Sequence, residues 1–133
     1  MGKKFLIDTN ILIYYFDNLI PEDSEQRVDD ILINSFNISI ISKIEFLGWN
    51  KFSVEQYEKA FNFLTGATII NLTDETVDKT IQIKRQTRMK LPDGVIAATC
   101  LINDMTLVTR NTNDFKNIEG LKLYNPFQLR YND

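Results

Sequence analysis

Histidine is missing from the 133 residues, and cysteine occurs once, as Cys100. The first absence removes Ser-His-Asp and Cys-His nucleophilic sites, which need an imidazole base, and histidine-ligated zinc hydrolases. The second removes an intrachain disulfide and a thiolate zinc cluster. Acid–base work near neutral pH then falls to carboxylates, lysine, tyrosine or a metal-activated water. A glycine-rich phosphate loop is also missing, which argues against a nucleotide-binding site. No stretch approaches the roughly 20 continuous apolar residues of a membrane span. Between Lys4 and Asp8 stand only Phe5, Leu6 and Ile7, fewer than the about 7–15 residues of a signal-peptide core. The expected location is cytoplasmic.

An excess of positive charge is missing too. The formal net charge is −3, which disfavours a simple electrostatic nucleic-acid binder. It does not exclude a nuclease, because a carboxylate-lined metal site is locally acidic until its cation reverses the sign where a phosphate sits. What remains is ordinary for a globular chain, with 44% hydrophobic and 25% charged residues. The length suits a single domain over 1–133 that buries a core without disulfides or a structural metal.

Strand-like and helix-like segments alternate. Residues 4–7 read as a buried strand, 10–16 as a helix and 22–34 as an amphipathic helix with Val28, Ile31 and Leu32 on one face. A second strand is expected over 37–41 and a short helix over 42–49. Ser53 and Gln56 form a capping box for a helix to about residue 65. Then come a strand (67–71), a long helix (73–89), a nearly uncharged helix (93–103), a strand (106–109) and a last strand (122–124). This alternation predicts an α/β fold with a parallel sheet covered on both faces and functional groups at the carboxyl ends of its strands.

Three acids are expected at that edge, and a fourth, Asp93, if its helix begins there. Asp8 follows the first strand, Glu45 opens the helix after the second, Asp114 lies beyond the fourth, and Asp93 heads its own helix. Each also has a plain structural role. Asp8 suits a helix cap, Ser42 with Glu45 reads as a capping box, Asp93 suits an N-cap after Pro92, and Asp114 suits a turn. Residues 94–102 carry no charge, so a carboxylate at the head of that buried helix needs a partner. Carboxylates sharing one pocket raise each other's pKa, and an oxygen-seeking cation such as Mg²⁺ or Mn²⁺ relieves the repulsion. Such a cation supports phosphoryl chemistry in a chain without histidine.

The segments LIDTN (6–10), ISKIEFLG (41–48), LPDGVIAAT (91–99) and LVTRNTNDF (107–115) occur in an order that resembles the PIN domain, particularly the VapC-type toxins of bacterial toxin–antitoxin pairs. The resemblance spans nearly the whole chain. It implies a Rossmann-like three-layer α/β/α fold and a Mg²⁺- or Mn²⁺-dependent endoribonuclease that leaves a 5′-phosphate and a 3′-hydroxyl. By resemblance, Asp8, Glu45 and Asp93 are metal-binding acids, with Asn10 and Thr109 as polar neighbours. Either Asn111 or Asp114 completes the set. The implied partners are RNA, a second copy in a homodimer, and an antitoxin whose terminal segment covers the acidic cleft.

Val77, Ile81, Lys84 and Arg88 share a narrow helical arc. Lys84 and Arg88 therefore either hold RNA phosphates or site carboxylates, or else lay their stems over the core. Tyr14, Tyr15, Phe16, Trp49, Phe52, Phe61 and Phe63 divide between core and exposed interface. A haloacid-dehalogenase-type phosphatase would need an aspartate where Asn10 stands, and a receiver domain would need an N-terminal acidic pair. The remaining alternative is a catalytically silent PIN scaffold that binds RNA or protein.

Overall fold

A computed structural model of the chain describes residues 4–128. The outermost residues of the expected 1–133 domain lie outside it. Five short strands form one sheet: β1 (Phe5–Ile7), β2 (Asn37–Ser39), β3 (Thr68–Ile70), β4 (Thr106–Val108) and β5 (Lys122–Tyr124). Their order is β3-β2-β1-β4-β5 and every pairing is parallel. The helices are α1 (Thr9–Phe16), α2 (Glu25–Asn34), α3 (Ile40–Leu47), α4 (Val54–Leu64), α5 (Asp74–Gln86), α6 (Leu91–Asn103) and the single turn α7 (Thr112–Phe115).

The two-residue period of a strand divides the core. Ile7 and Val108 face one way and pack with Ile11, Leu12, Val28, Phe46 and Leu64 from α1–α4. Leu6 and Leu107 face the other way and pack with Ile83, Ile96, Cys100 and Phe115 from α5–α7. Three layers, α/β/α, result. None of the described helices is long and apolar enough to cross a membrane.

The chain runs outward from β1 through β2 to β3, then crosses back to place β4 on the other side of β1. Strand order therefore reverses between β1 and β4. In open parallel sheets that reversal leaves a crevice at the carboxyl ends of the two strands. Asp8 and Thr109 stand at those ends, and the Asp8 amide still donates to the Val108 carbonyl at 2.9 Å.

Several elements depart from their expected bounds. Residues 22–24 form a separate 3₁₀ turn before α2. The second strand stops at Ser39, because that side chain accepts from the Ile41 amide and starts α3. Glu45 is therefore in the second turn, not the first. Ser42 caps nothing: it is buried, and its hydroxyl shares a 2.8 Å hydrogen bond with the Thr9 hydroxyl. The expected Ser42–Glu45 capping box does not form, whereas the one at Ser53 and Gln56 does. The N-cap of α6 is Lys90, so Asp93 lies inside the first turn.

The stripe expected on α5 is also corrected. Val77 and Ile81 are 40% and 52% exposed, while Thr76, Thr80 and Ile83 face inward. The Thr80 hydroxyl donates to the Thr76 carbonyl at 2.8 Å, so a polar residue can line this interface without an unpaired group. Its methyl packs 3.6 Å from where a Cβ on Gly94 would sit, so small residues let α5 and α6 approach closely. Of the aromatic candidates, Trp49 (52%) and Phe61 (47%) are exposed. Tyr14, Tyr15, Phe16, Phe52 and Phe63 pack against the first core.

Candidate functional site

Asp8 is the centre of the arrangement. It ends β1 in extended conformation, and its Oδ1 accepts from the Thr9 amide at 2.8 Å, capping α1. Its other oxygen, Oδ2, accepts from the Thr109 hydroxyl at 2.7 Å and from the Asn10 amide at 3.3 Å. The Thr109 bond crosses the point where strand order reverses. Thr109 Oγ1 also accepts from the Asn111 amide at 3.0 Å, which fixes the start of the next segment. The expected cap therefore forms through one oxygen, and Thr109 and Asn10 hold the other at the crevice.

Glu45 reaches the same place from α3. It is exposed, yet its Oε1 accepts a 2.7 Å bond from the buried Thr9 hydroxyl. Thr9 therefore lies between Asp8, its neighbour in the chain, and Glu45. The sequence reading missed both Thr9 and Ser42. The only available signal was a hydroxyl beside Asp8, and its partners are 33 and 36 residues away.

Asp93 is half-buried at the head of α6. Asp114 lines a groove of about 570 Å³ with Asp93, Arg88 and Lys90. Asn111 precedes α7 as its N-cap residue, without a side-chain capping bond, and its carbonyl accepts from the Asp114 amide. Of the pair, Asp114 is the one whose charge acts on Asp93.

Electrostatics tie the acids together. Burial pushes the Asp8 carboxyl up to about 6, against the opposing hydrogen bonds from Thr109 and Thr9, and the charges of Asp93 and Glu45 push it further. Asp93 is also raised, by burial first and then by Asp114 and Glu45, with Lys90 opposing. Among the described residues, no three acids close into a ready-made cage. The four share a field across an open crevice. An octahedral cation such as Mg²⁺ suits that layout, since it is commonly held by one or two carboxylates and completes its shell with water and substrate phosphate. One further detail fits a cation. Asn10 Oδ1 is buried beside Asp8 with no hydrogen-bond partner, an acceptor whose isolation is costly.

The two basic candidates separate. Arg88 lies on the groove with Asp93 and Asp114. Lys84 lays its stem against Gly94, and its ammonium donates to the Met89 carbonyl at 2.7 Å. That bond supports the α5–α6 turn. Lys90 also lies on the groove, and its charge opposes the rise at Asp93.

The family model of the PIN domain matches residues 5–121. No curated protein sequence matches the chain. Among solved structures, the chain is 28% identical to a chain of a toxin–antitoxin complex from Klebsiella pneumoniae, with 95% of this chain and 100% of that one covered and a TM-score of 0.74. It is 25% identical to a chain of VapBC2 from Rickettsia felis bound to a promoter DNA fragment, with 91% and 97% covered and a TM-score of 0.77. A chain of VapBC-1 from Haemophilus influenzae, at 20% identity, TM-score 0.79 and coverage of 93% and 98%, shares the fold.

Proposed function

We infer, because this chain belongs to the PIN-domain family, that it is a divalent-metal-dependent endoribonuclease and the toxin of a VapBC-type pair. The carrying observation is the grouping of Asp8, Glu45 and Asp93, from three separate elements, around the β1–β4 crevice. The toxin–antitoxin complexes among its structural relatives support the pairing with an antitoxin.

In this reading Asp8, Glu45 and Asp93 hold Mg²⁺ or Mn²⁺, and Asp114 completes the acidic side of the groove. A cation bound there supplies Lewis-acid stabilisation of phosphoryl charge and lowers the pKa of water at the site. The chain's own groups do the rest. Thr109 and Asn10 fix the Asp8 carboxylate, so its charge needs no reorganisation during the reaction. Thr9 aims Glu45 at the same crevice. Arg88 and Lys90 attract the RNA backbone along the groove. Products would carry a 5′-phosphate and a 3′-hydroxyl.

An apolar pocket of about 220 Å³, formed by Ile13, Phe16, Phe46, Trp49 and Phe52, opens beside Glu45. It offers the antitoxin a surface next to the acids, so one segment could cover both.

The test is cleavage of a panel of structured RNAs with Mg²⁺ or Mn²⁺, against EDTA and against Asp8→Asn. Metal-dependent cleavage that Asp8→Asn abolishes is expected. RNA binding without such cleavage would favour the silent scaffold, and end-labelled products with 2′,3′-cyclic phosphates would overturn the hydrolytic mechanism.

A further inference from the structure

We propose that Arg110 is a prepositioned phosphate clamp at the mouth of the crevice. The inference rests on the ribonuclease reading for its substrate class, but on different residues for its geometry.

Arg110 directly follows Thr109, the residue that donates to Asp8. Across from it runs α1. In the first turn of α1, Asn10 reaches both Asp8 and Thr109. One turn later, on the same helical face, is Tyr14. The Arg110 guanidinium donates through Nη1 to the Tyr14 hydroxyl. The same seam between α1 and the segment after β4 therefore carries two pairs in succession. The first is Asn10 with Thr109, at the acids. The second is Tyr14 with Arg110, about one helical pitch of 5.4 Å farther out.

Two rings hold the guanidinium. Its carbon lies 5.1 Å from the centre of Tyr14 and 5.9 Å from that of Phe127. The rings are themselves in contact, with centroids 5.6 Å apart. Phe127 is seated in turn. Its amide donates to Asn125 Oδ1, Asn125 donates back to the Arg110 carbonyl, and Arg27 holds the adjoining Pro126 carbonyl through Nε and Nη2. A long flexible side chain is thus fixed before any ligand arrives, which lowers the ordering cost of binding.

Among the described residues, nothing neutralises the cation. Arg110 is exposed, and among the described residues no carboxylate lies within ion-pair distance of it. Among the described residues, four of its five N–H donors have no partner. A planar fork supported on aromatic faces, beside a crevice of acids, suits a phosphate oxygen pair of an RNA strand. It adds a cation on the β4 side of the crevice, distinct from Arg88 and Lys90 on the α5–α6 side.

The experiment measures binding of a fluorescein-labelled single-stranded oligouridylate to the full chain over a range of salt, and in parallel its metal-dependent cleavage. Arg110→Ala, Arg110→Lys and Tyr14→Phe are compared with the parent, and a thermal melt checks folding. Arg110→Ala is expected to weaken binding about tenfold and to lower the slope of log affinity against log salt by about 0.7, one phosphate contact of a single strand. Arg110→Lys should recover the slope. Tyr14→Phe should retain the slope and weaken affinity less than Arg110→Ala.

A merely structural Arg110 predicts something else: Arg110→Ala lowers the melting temperature while affinity and slope stay at parental values. That result overturns the clamp, as does a parent chain that fails to bind the oligonucleotide at any salt. Cleavage abolished by Asp8→Asn, with affinity and slope unaffected by Arg110→Ala, leaves the nuclease and removes the clamp. A parent that binds with an Arg110-dependent slope but cleaves nothing leaves the clamp and removes the nuclease.

Discussion

At the scale of the residue, the account turns on Asp8. Burying a carboxylate raises its pKa, and this one rises from 3.8 to about 6 in the absence of a cation. A group that binds its proton more tightly when folded stabilises the fold at low pH. That contribution is present below about 4 and lost as pH rises through 6. A rise of this size corresponds to about 3 kcal/mol at neutral pH. Asp8→Asn removes the titrating group. Denaturant unfolding in metal-free buffer should therefore show the parent losing about 3 kcal/mol between pH 4 and pH 7 and the variant lacking that loss. Equal pH dependence in the two proteins would refute the buried-charge account. The same substitution should eliminate cleavage.

Elements decide how such a residue is aimed. Glu45 is on α3 and Asp8 at the end of β1, and the Thr9 hydroxyl links them. Thr9→Val keeps the shape and loses that link. Cleavage should fall about tenfold through kcat, with the variant destabilised by roughly 1–2 kcal/mol for the bonds lost. Unchanged kcat would show that Glu45 needs no such positioning. By contrast Ser53→Ala, which breaks the capping box of α4 far along the chain, should cost about 1 kcal/mol and leave kcat alone. The elements also show what was legible in the sequence. Short stretches rich in apolar residues located the five strands, because the presence of a strand is a local property. The boundary at Ser39 was not legible, since Ile40 and Ile41 extend the apolar run while the Ser39 side chain starts a helix. On α5, apolar residues at helical spacing pointed to the wrong face. Close packing against Gly94 selected Thr80 on the inward face instead, a preference that only the neighbouring helix reveals.

The whole molecule supplies what no single element carries. The sequence places Asp8, Glu45, Asp93 and Asp114 toward one edge because strand–helix alternation sends every strand end there, and in the fold their charges act on one another. The reversal of strand order between β1 and β4, and with it the Asp8–Thr109 bond, depends on pairings between distant segments. So does the separation of Lys84, which braces a turn, from Arg88, which faces the groove. The shared acidic field also makes a global prediction. A cation that binds only the folded chain stabilises it by mass action. Mn²⁺ should raise the melting temperature of the parent by several degrees and that of Asp8→Asn hardly at all.

The most direct measurement is Mn²⁺ binding followed by loss of the free-ion electron paramagnetic resonance signal, with the parent compared with Asp8→Asn and Asp93→Asn at neutral pH and low salt. Saturable binding by the parent, weakened tenfold or more in each variant, is the result the shared site predicts. Equal binding by all three proteins, or none by the parent in the presence of an RNA oligonucleotide, would contradict it.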